Sequence, residues 1–96
     1  MKRVVFHPEA EAELVAAAEF YDTNSPGLGL DFIAEVQRAT RALATYPRVG
    51  RRFSKRLHRA LVRRFPYGLL YRIESDEVLV VAVAHVRRRP RYWLGR

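Results

Sequence analysis

The sequence predicts an α+β fold: an N-terminal strand, an αα-hairpin, then a three-stranded antiparallel meander, with the helices on one face of a small, mainly antiparallel sheet. Three observations carry this prediction. Val78-Leu79-Val80-Val81-Ala82-Val83-Ala84 is an unbroken apolar run. Successive strand side chains point to opposite faces, so such a run is satisfied only where both faces are covered. Phe32, Val36, Ala39, Leu43 and Tyr46 recur at helical spacing up to Pro47, which marks one amphipathic helix with a defined end. Short polar or turn-forming links, Pro66-Tyr67-Gly68 and Ser75-Asp76-Glu77, separate the last apolar runs and join neighbouring strands. Helices segregated from an antiparallel sheet make α+β architecture.

Taken in order, Arg3-Val4-Val5-Phe6 is a short strand ended by His7-Pro8. Pro8 suits the first turn of a helix, where its missing N–H costs nothing, and Glu9, Glu11 and Glu13 suit the positive end of the helix dipole. Ala10, Leu14, Ala17 and Tyr21 form its apolar stripe, widened by Ala18 and Phe20, and the turn cluster at 22–27 stops it. In the second helix Arg38 and Arg41 lie off the stripe, toward solvent. Residues 47–60 hold six bases and no sustained period, and are expected to be a loop. Strands are expected at 61–65 and 69–73, and the Val-rich run follows as the interior strand of the sheet. The helices cover one sheet face. The other is left to the basic loop and the basic tail, so a concave basic surface over an apolar sheet is the expected geometry.

Ninety-six residues are enough for a single domain, 1–96, with a modest core. With no cysteine there is no disulfide framework, thiolate metal site or thiol nucleophile. No stretch reads as a signal sequence or a membrane span, so a cytoplasmic location is expected. The net charge is +8, and it is segregated. Residues 1–35 hold two bases and seven acids, whereas residues 36–96 hold sixteen bases and three acids, with no acid between Val36 and Ile73. A one-sided field attracts a polyanion or an acidic protein segment. A merely solubilising surface would scatter both signs along the chain.

The arginines at 63, 64, 72, 87 and 88 are the first candidate constellation for a target or partner. Arg63 and Arg64, adjacent in the strand expected at 61–65, point to opposite faces, as do Arg87 and Arg88 if the last strand continues that far. Arginine offers a planar fork for phosphate or carboxylate; the plainer explanation is edge-strand charge that blocks aggregation. His85 closes the apolar strand and could act as a general acid or base, though a histidine there commonly just bonds a nearby loop. Tyr92 and Trp93 could stack on bases beside the arginines, or Trp93 could pack back on the sheet and anchor the tail. His7 and His58 show no ligand spacing, and neither a metal nor a cofactor is expected. Gly27-Leu28-Gly29 follows a helix rather than a strand, which excludes a dinucleotide loop. Binding rather than catalysis is therefore expected. The enzymatic alternative is a metal-independent endoribonuclease using His85, Arg63, Arg87 and Tyr92.

Phe65-Pro66-Tyr67, the strand with Tyr71, and the Val-rich strand running into His85-Val86-Arg87-Arg88-Arg89-Pro90-Arg91-Tyr92-Trp93 together resemble the RelE/ParE superfamily of bacterial toxins. The Ala- and Glu-rich first helix with Phe20-Tyr21, the turn Pro26-Gly27-Leu28-Gly29, and Leu43…Tyr46-Pro47…Gly50 extend the likeness over nearly the whole chain. The resemblance implies the toxin of a type II toxin–antitoxin module, neutralised by a partly disordered antitoxin with an acidic segment. RelE-like members cleave messenger RNA on the ribosome, whereas ParE-like members bind DNA gyrase. The Arg-Pro-x-x-Trp ending is similar to the ParE-like side, although Arg89 stands where many such relatives carry an acid. The resemblance thus implies gyrase as target, with the ribosome and its mRNA as the alternative. A basic nucleic-acid-binding module without toxicity is the third possibility, its affinity falling steeply with salt.

Overall fold

The structure, a computed structural model, describes residues 1–87 and 92–96. The elements run β1 (Arg3–Phe6), α1 (Pro8–Asn24), α2 (Leu28–Thr45), β2 (Arg51–Arg52), β3 (His58–Leu61), β4 (Tyr67–Ile73) and β5 (Glu77–His85). They build one five-stranded sheet in the order β1-β5-β4-β3-β2. β1 runs parallel to β5, and the remaining pairs are antiparallel. The α+β fold is as predicted, and the Val-rich strand is interior, between β1 and β4.

The meander differs from the expectation in one respect. It has four strands, because the presumed loop at 47–60 contributes β2 and the start of β3. The strand expected at 61–65 instead ends at Leu61, and β4 begins at Tyr67. The reason is local. Arg64 has φ 71°, a left-handed conformation that no strand tolerates, and the Val62 N–H donates to the Tyr67 carbonyl at 2.8 Å to close the turn. His58-Arg59-Ala60-Leu61 pairs instead with Tyr71, Leu70, Leu69 and Gly68.

At the start of α1, Pro8 takes the first position and the His7 side chain accepts from the Glu9 N–H, satisfying one of the orphan donors of the first turn. The helices meet closely at the hairpin because Gly29 has no side chain: a Cβ there would meet the Ala18 carbonyl and Asp22. The Asp22 carboxylate instead accepts from the Gly29 N–H at 2.7 Å. Phe32 and Leu43 of α2 are fully buried, and each such side chain contributes about 1.5–3 kcal/mol by leaving water. Phe32 packs against Tyr21, Phe65 and Tyr67, with ring centroids 5.0–5.4 Å away. Two residues of the expected stripes, Phe20 and Tyr46, are exposed instead. Phe20 lies off the face that Tyr21 presents to the core, and Tyr46 is the C-cap residue just past α2.

A bulge in β5 changes which of the two cores its later residues enter. Leu70 pairs with Ala82 and Tyr71 with Val80, leaving Val81 as the extra residue. Val78, Val80 and Val83 enter the helix-side core, whereas Val81 and Ala82 both enter the core on the opposite face. Leu57 from the loop and Trp93 from the tail complete that second core, and Phe53 lies edge-on to Trp93 at 5.7 Å. Loop and tail therefore cover the helix-free face.

Candidate binding surface

The predicted cations divide between the two ends of the sheet. At one end, Tyr67 pairs with His85 and the Val86 N–H donates to the Pro66 carbonyl at 2.9 Å. This sets the turn after β3 beside the exit of β5, and so gathers Arg63, Arg64, His85 and Arg87. Arg63 and Arg87 are exposed. Arg64 folds back toward α2, 3.7 Å from Asp31 and 3.9 Å from Glu35. The expected alternation of Arg63 and Arg64 across a strand is corrected, since both belong to the turn. His85 accepts at Nδ1 from the Arg87 N–H at 3.1 Å. In the neutral ring that bond places the proton on Nε2, leaving a donor rather than a base on the outer nitrogen.

Arg72 lies at the opposite end of the sheet. Its guanidinium bonds the Arg96 carbonyl at 3.1 Å and Glu74 at 3.4 Å. The predicted set is thus not one cluster. Tyr92 is half-buried, edge-on to Trp93 at 4.9 Å, with the Arg96 guanidinium over its ring at 5.3 Å. Trp93 is 7% exposed, so the structure shows the anchor rather than a free stacking platform. Arg88 lies outside the described residues, as do Arg89, Pro90 and Arg91 of the tail motif.

The tail is held by an ion pair that sequence reasoning missed. β1 stops at Phe6, and past it the backbone of β5 has no strand partner on that side among the described residues. The Glu13 carboxylate takes over, accepting from the Val83 N–H at 3.0 Å. Arg96 binds the same carboxylate through both terminal nitrogens, at 3.0 and 3.1 Å, and donates to the Val81 carbonyl at 3.0 Å. The pair substitutes for a missing stretch of strand. The carboxylate raises the Arg96 pKa above its ordinary value, against the opposing effect of burial. No local sequence signal links residues so far apart.

A second feature was missed for a different reason. Between α2 and β3 lies a cavity of about 370 Å³, lined by Ala39, Ala42, Val49, Ala60 and Leu61 together with Arg38, Arg51, Arg59 and Arg63. Val49 and Leu61 are about 60% exposed. The signal was present, as isolated apolar residues within the basic stretch, but it only acquires meaning once β3 is placed. Among the described residues no group of His, Asp and Glu could hold a metal ion, and no helix is long and apolar enough to cross a membrane.

This arrangement, a helical hairpin on one face of a five-stranded sheet and an aromatic tail on the other, can be compared with known proteins. The family model described as the ParE toxin of the type II toxin–antitoxin system, parDE, matches residues 4–90. The chain belongs to the ParE toxin family. This ParE-family toxin is similar to a solved structure, a chain of the chromosomal ParDE toxin–antitoxin system from P. aeruginosa, with a TM-score of 0.80. Identity there is 17%, over 88% of this chain and 96% of that one, a likeness of fold. No curated protein matches the chain by sequence. The ParE-family assignment makes this chain the toxin of a type II toxin–antitoxin system and implies a cognate antitoxin.

Proposed function

We propose that this ParE-family toxin inhibits growth by binding DNA gyrase and is neutralised when its antitoxin docks directly on it. The observation that carries the target is the state of the His85 end. Its exposed cations, Arg63 and Arg87, lie at the same end of the sheet as a histidine whose Nδ1 is already occupied. Such a surface suits electrostatic recognition of an acidic partner better than acid–base chemistry, which needs a free base within reach of the substrate proton. Incubating the purified toxin with gyrase and plasmid tests the reading. Loss of supercoiling is expected; unchanged supercoiling with no trapped cleaved DNA refutes it. Ribosome-dependent transcript cleavage at that point would move the protein to the endonuclease alternative.

The antitoxin reading is supported by the cavity between α2 and β3. An apolar floor among arginines fits an amphipathic segment whose apolar anchors are flanked by acids, and ordering a disordered partner there would be the cost of its binding. Leu61→Glu is expected to weaken antitoxin binding at least about tenfold, which corresponds to about 1.4 kcal/mol, while leaving gyrase inhibition in place. Unchanged antitoxin affinity in calorimetry would remove the cavity from the interface.

A further inference from the structure

A second basic feature lies away from both surfaces. Arg48, Lys55, Arg56, His58, Arg72, Ile73 and Glu74 line a recess of about 580 Å³, at the opposite end of the sheet from His85. We propose that this recess is a binding site for a phosphate-class oxyanion, held by Arg48, Lys55, Arg56 and Arg72 with His58 in its wall.

Four formal positive charges face one carboxylate there. Glu74 is engaged by Arg72 at 3.4 Å, whereas Arg48, Lys55 and Arg56 form no ion pair among the described residues. Like charges gathered in a concavity raise the potential and concentrate counter-ions. The volume accepts more than a single small ion, within the usual range for small-ligand sites of about 300–1,000 Å³.

His58 adds an independent observation. Its Nδ1 is buried and has no hydrogen-bond partner among the described residues, an uncommon state for a buried polar atom. The ring stacks on Tyr71 at 5.5 Å, which fixes its plane. Its pKa is lowered by burial, then by the Arg52 and Arg48 charges.

The arginine fork fits carboxylate and phosphate alike. The number of cations separates them. A carboxylate carries one charge and two oxygens, so it can satisfy about one guanidinium fork. A phosphate group presents three oxygens and up to two charges, and can bridge several of these side chains at once. Free phosphate compounds and the backbone of a single-stranded nucleic acid offer the same group, and the test separates them.

The test is a titration of the isotopically labelled full chain with inorganic pyrophosphate at constant ionic strength, followed by NMR. Saturable shifts of the His58 ring protons and the Arg56 side-chain signal are expected, with Arg38 and Arg41 on the helical face unmoved. Lys55 and Arg56 are exposed, so Lys55→Gln with Arg56→Gln leaves folding intact and should weaken pyrophosphate at least about tenfold, some 1.4 kcal/mol. In a second arm a single-stranded oligothymidylate replaces pyrophosphate. Tighter oligonucleotide binding that the same double variant weakens identifies the nucleic-acid backbone; competition by pyrophosphate without tighter binding identifies a free phosphate compound. Both support the site. Shifts that chloride reproduces, that do not saturate, or that survive the double variant overturn it, as does a preference for polyglutamate over pyrophosphate.

Discussion

Glu13→Ala should release the tail and cost a large share of the stability. The Glu13 and Arg96 side chains are 17% and 15% exposed, so water can replace little of what each loses. Removing the carboxylate leaves the Val83 N–H without its acceptor, worth about 1–3 kcal/mol. It also strips the Arg96 guanidinium of its counter-charge; breaking a fully buried pair costs about 3–5 kcal/mol. Arg96 keeps the Val81 carbonyl at 3.0 Å and some access to solvent, which reduces the second figure. The two losses overlap, and about 2–4 kcal/mol is the expected total. For a domain of this size each kcal/mol shifts Tm by about 4–8 °C, so a fall on the order of 10–30 °C follows. Trp93 is the only tryptophan, and its buried indole reports the tail directly. Its emission in Glu13→Ala should move to longer wavelength before the far-UV signal melts. A double-mutant cycle with Arg96→Ala should return a coupling of about 1–3 kcal/mol. A Glu13→Ala protein within about 0.5 kcal/mol of the parent, with unshifted Trp93 emission, would refute the claim that this pair completes the edge of β5.

Tyr71→Phe should cost about 1–2 kcal/mol in urea unfolding, because the hydroxyl donates to the Pro47 carbonyl at 2.6 Å and accepts from the Gly50 N–H at 3.0 Å; backbone amide exchange should rise at residues 48–52. His58 gives a pH dependence whose sign is fixed: its folded pKa lies below the unfolded value of about 6.5. As pH falls through 6.5 the unfolded chain takes up the proton first, so stability drops between 6.5 and the folded pKa. His58→Phe should remove that part of the slope in denaturant melts at pH 7.5 and 5.5. Finally, Arg87→Ala with Arg88→Ala should raise the concentration needed to inhibit gyrase at least about tenfold, whereas Arg51→Ala with Arg52→Ala should change it less; equal effects would displace the target surface from the His85 end.

The legible parts of this chain were those where a local pattern and a tertiary demand agree. The run from Val78 to Ala84 could only be a strand covered on both faces, and β5 has both its neighbours and both its cores. Pro8, the turn at 22–27 and Pro47 bracket the two helices within a few residues of α1 and α2. The segment 47–65 was misjudged because its signals conflict. Consecutive bases suppress the alternation that marks β3, and Arg64 enters the left-handed region without the glycine that normally announces it. Composition could count the arginines but could not sort them. Arg63 and Arg87 meet at one end because Tyr67 pairs with His85; Arg72 is drawn to the other by its place in β4.

The bulge sorts the side chains of β5 between the two cores. Because Val81 is an extra residue, the side chains of β5 change face part-way along the strand. Without it, Val81 would stay with the second core but Ala82 would turn to the helices, and Val83 would face Trp93. The cavity left by a small alanine beneath α1 and the excess bulk beneath the indole would both be unfavourable. The bulge therefore fits the two cores to one strand. It also sets the ladder phase from which the Val81 carbonyl and the Val83 N–H reach the Glu13–Arg96 pair. Val81→Gly should tolerate the bulge while emptying its core contact, and Trp93 emission should shift as it does in Glu13→Ala. A strand that instead straightens, with Ala82 protected and Trp93 unmoved, would show that the tail is held independently of the bulge.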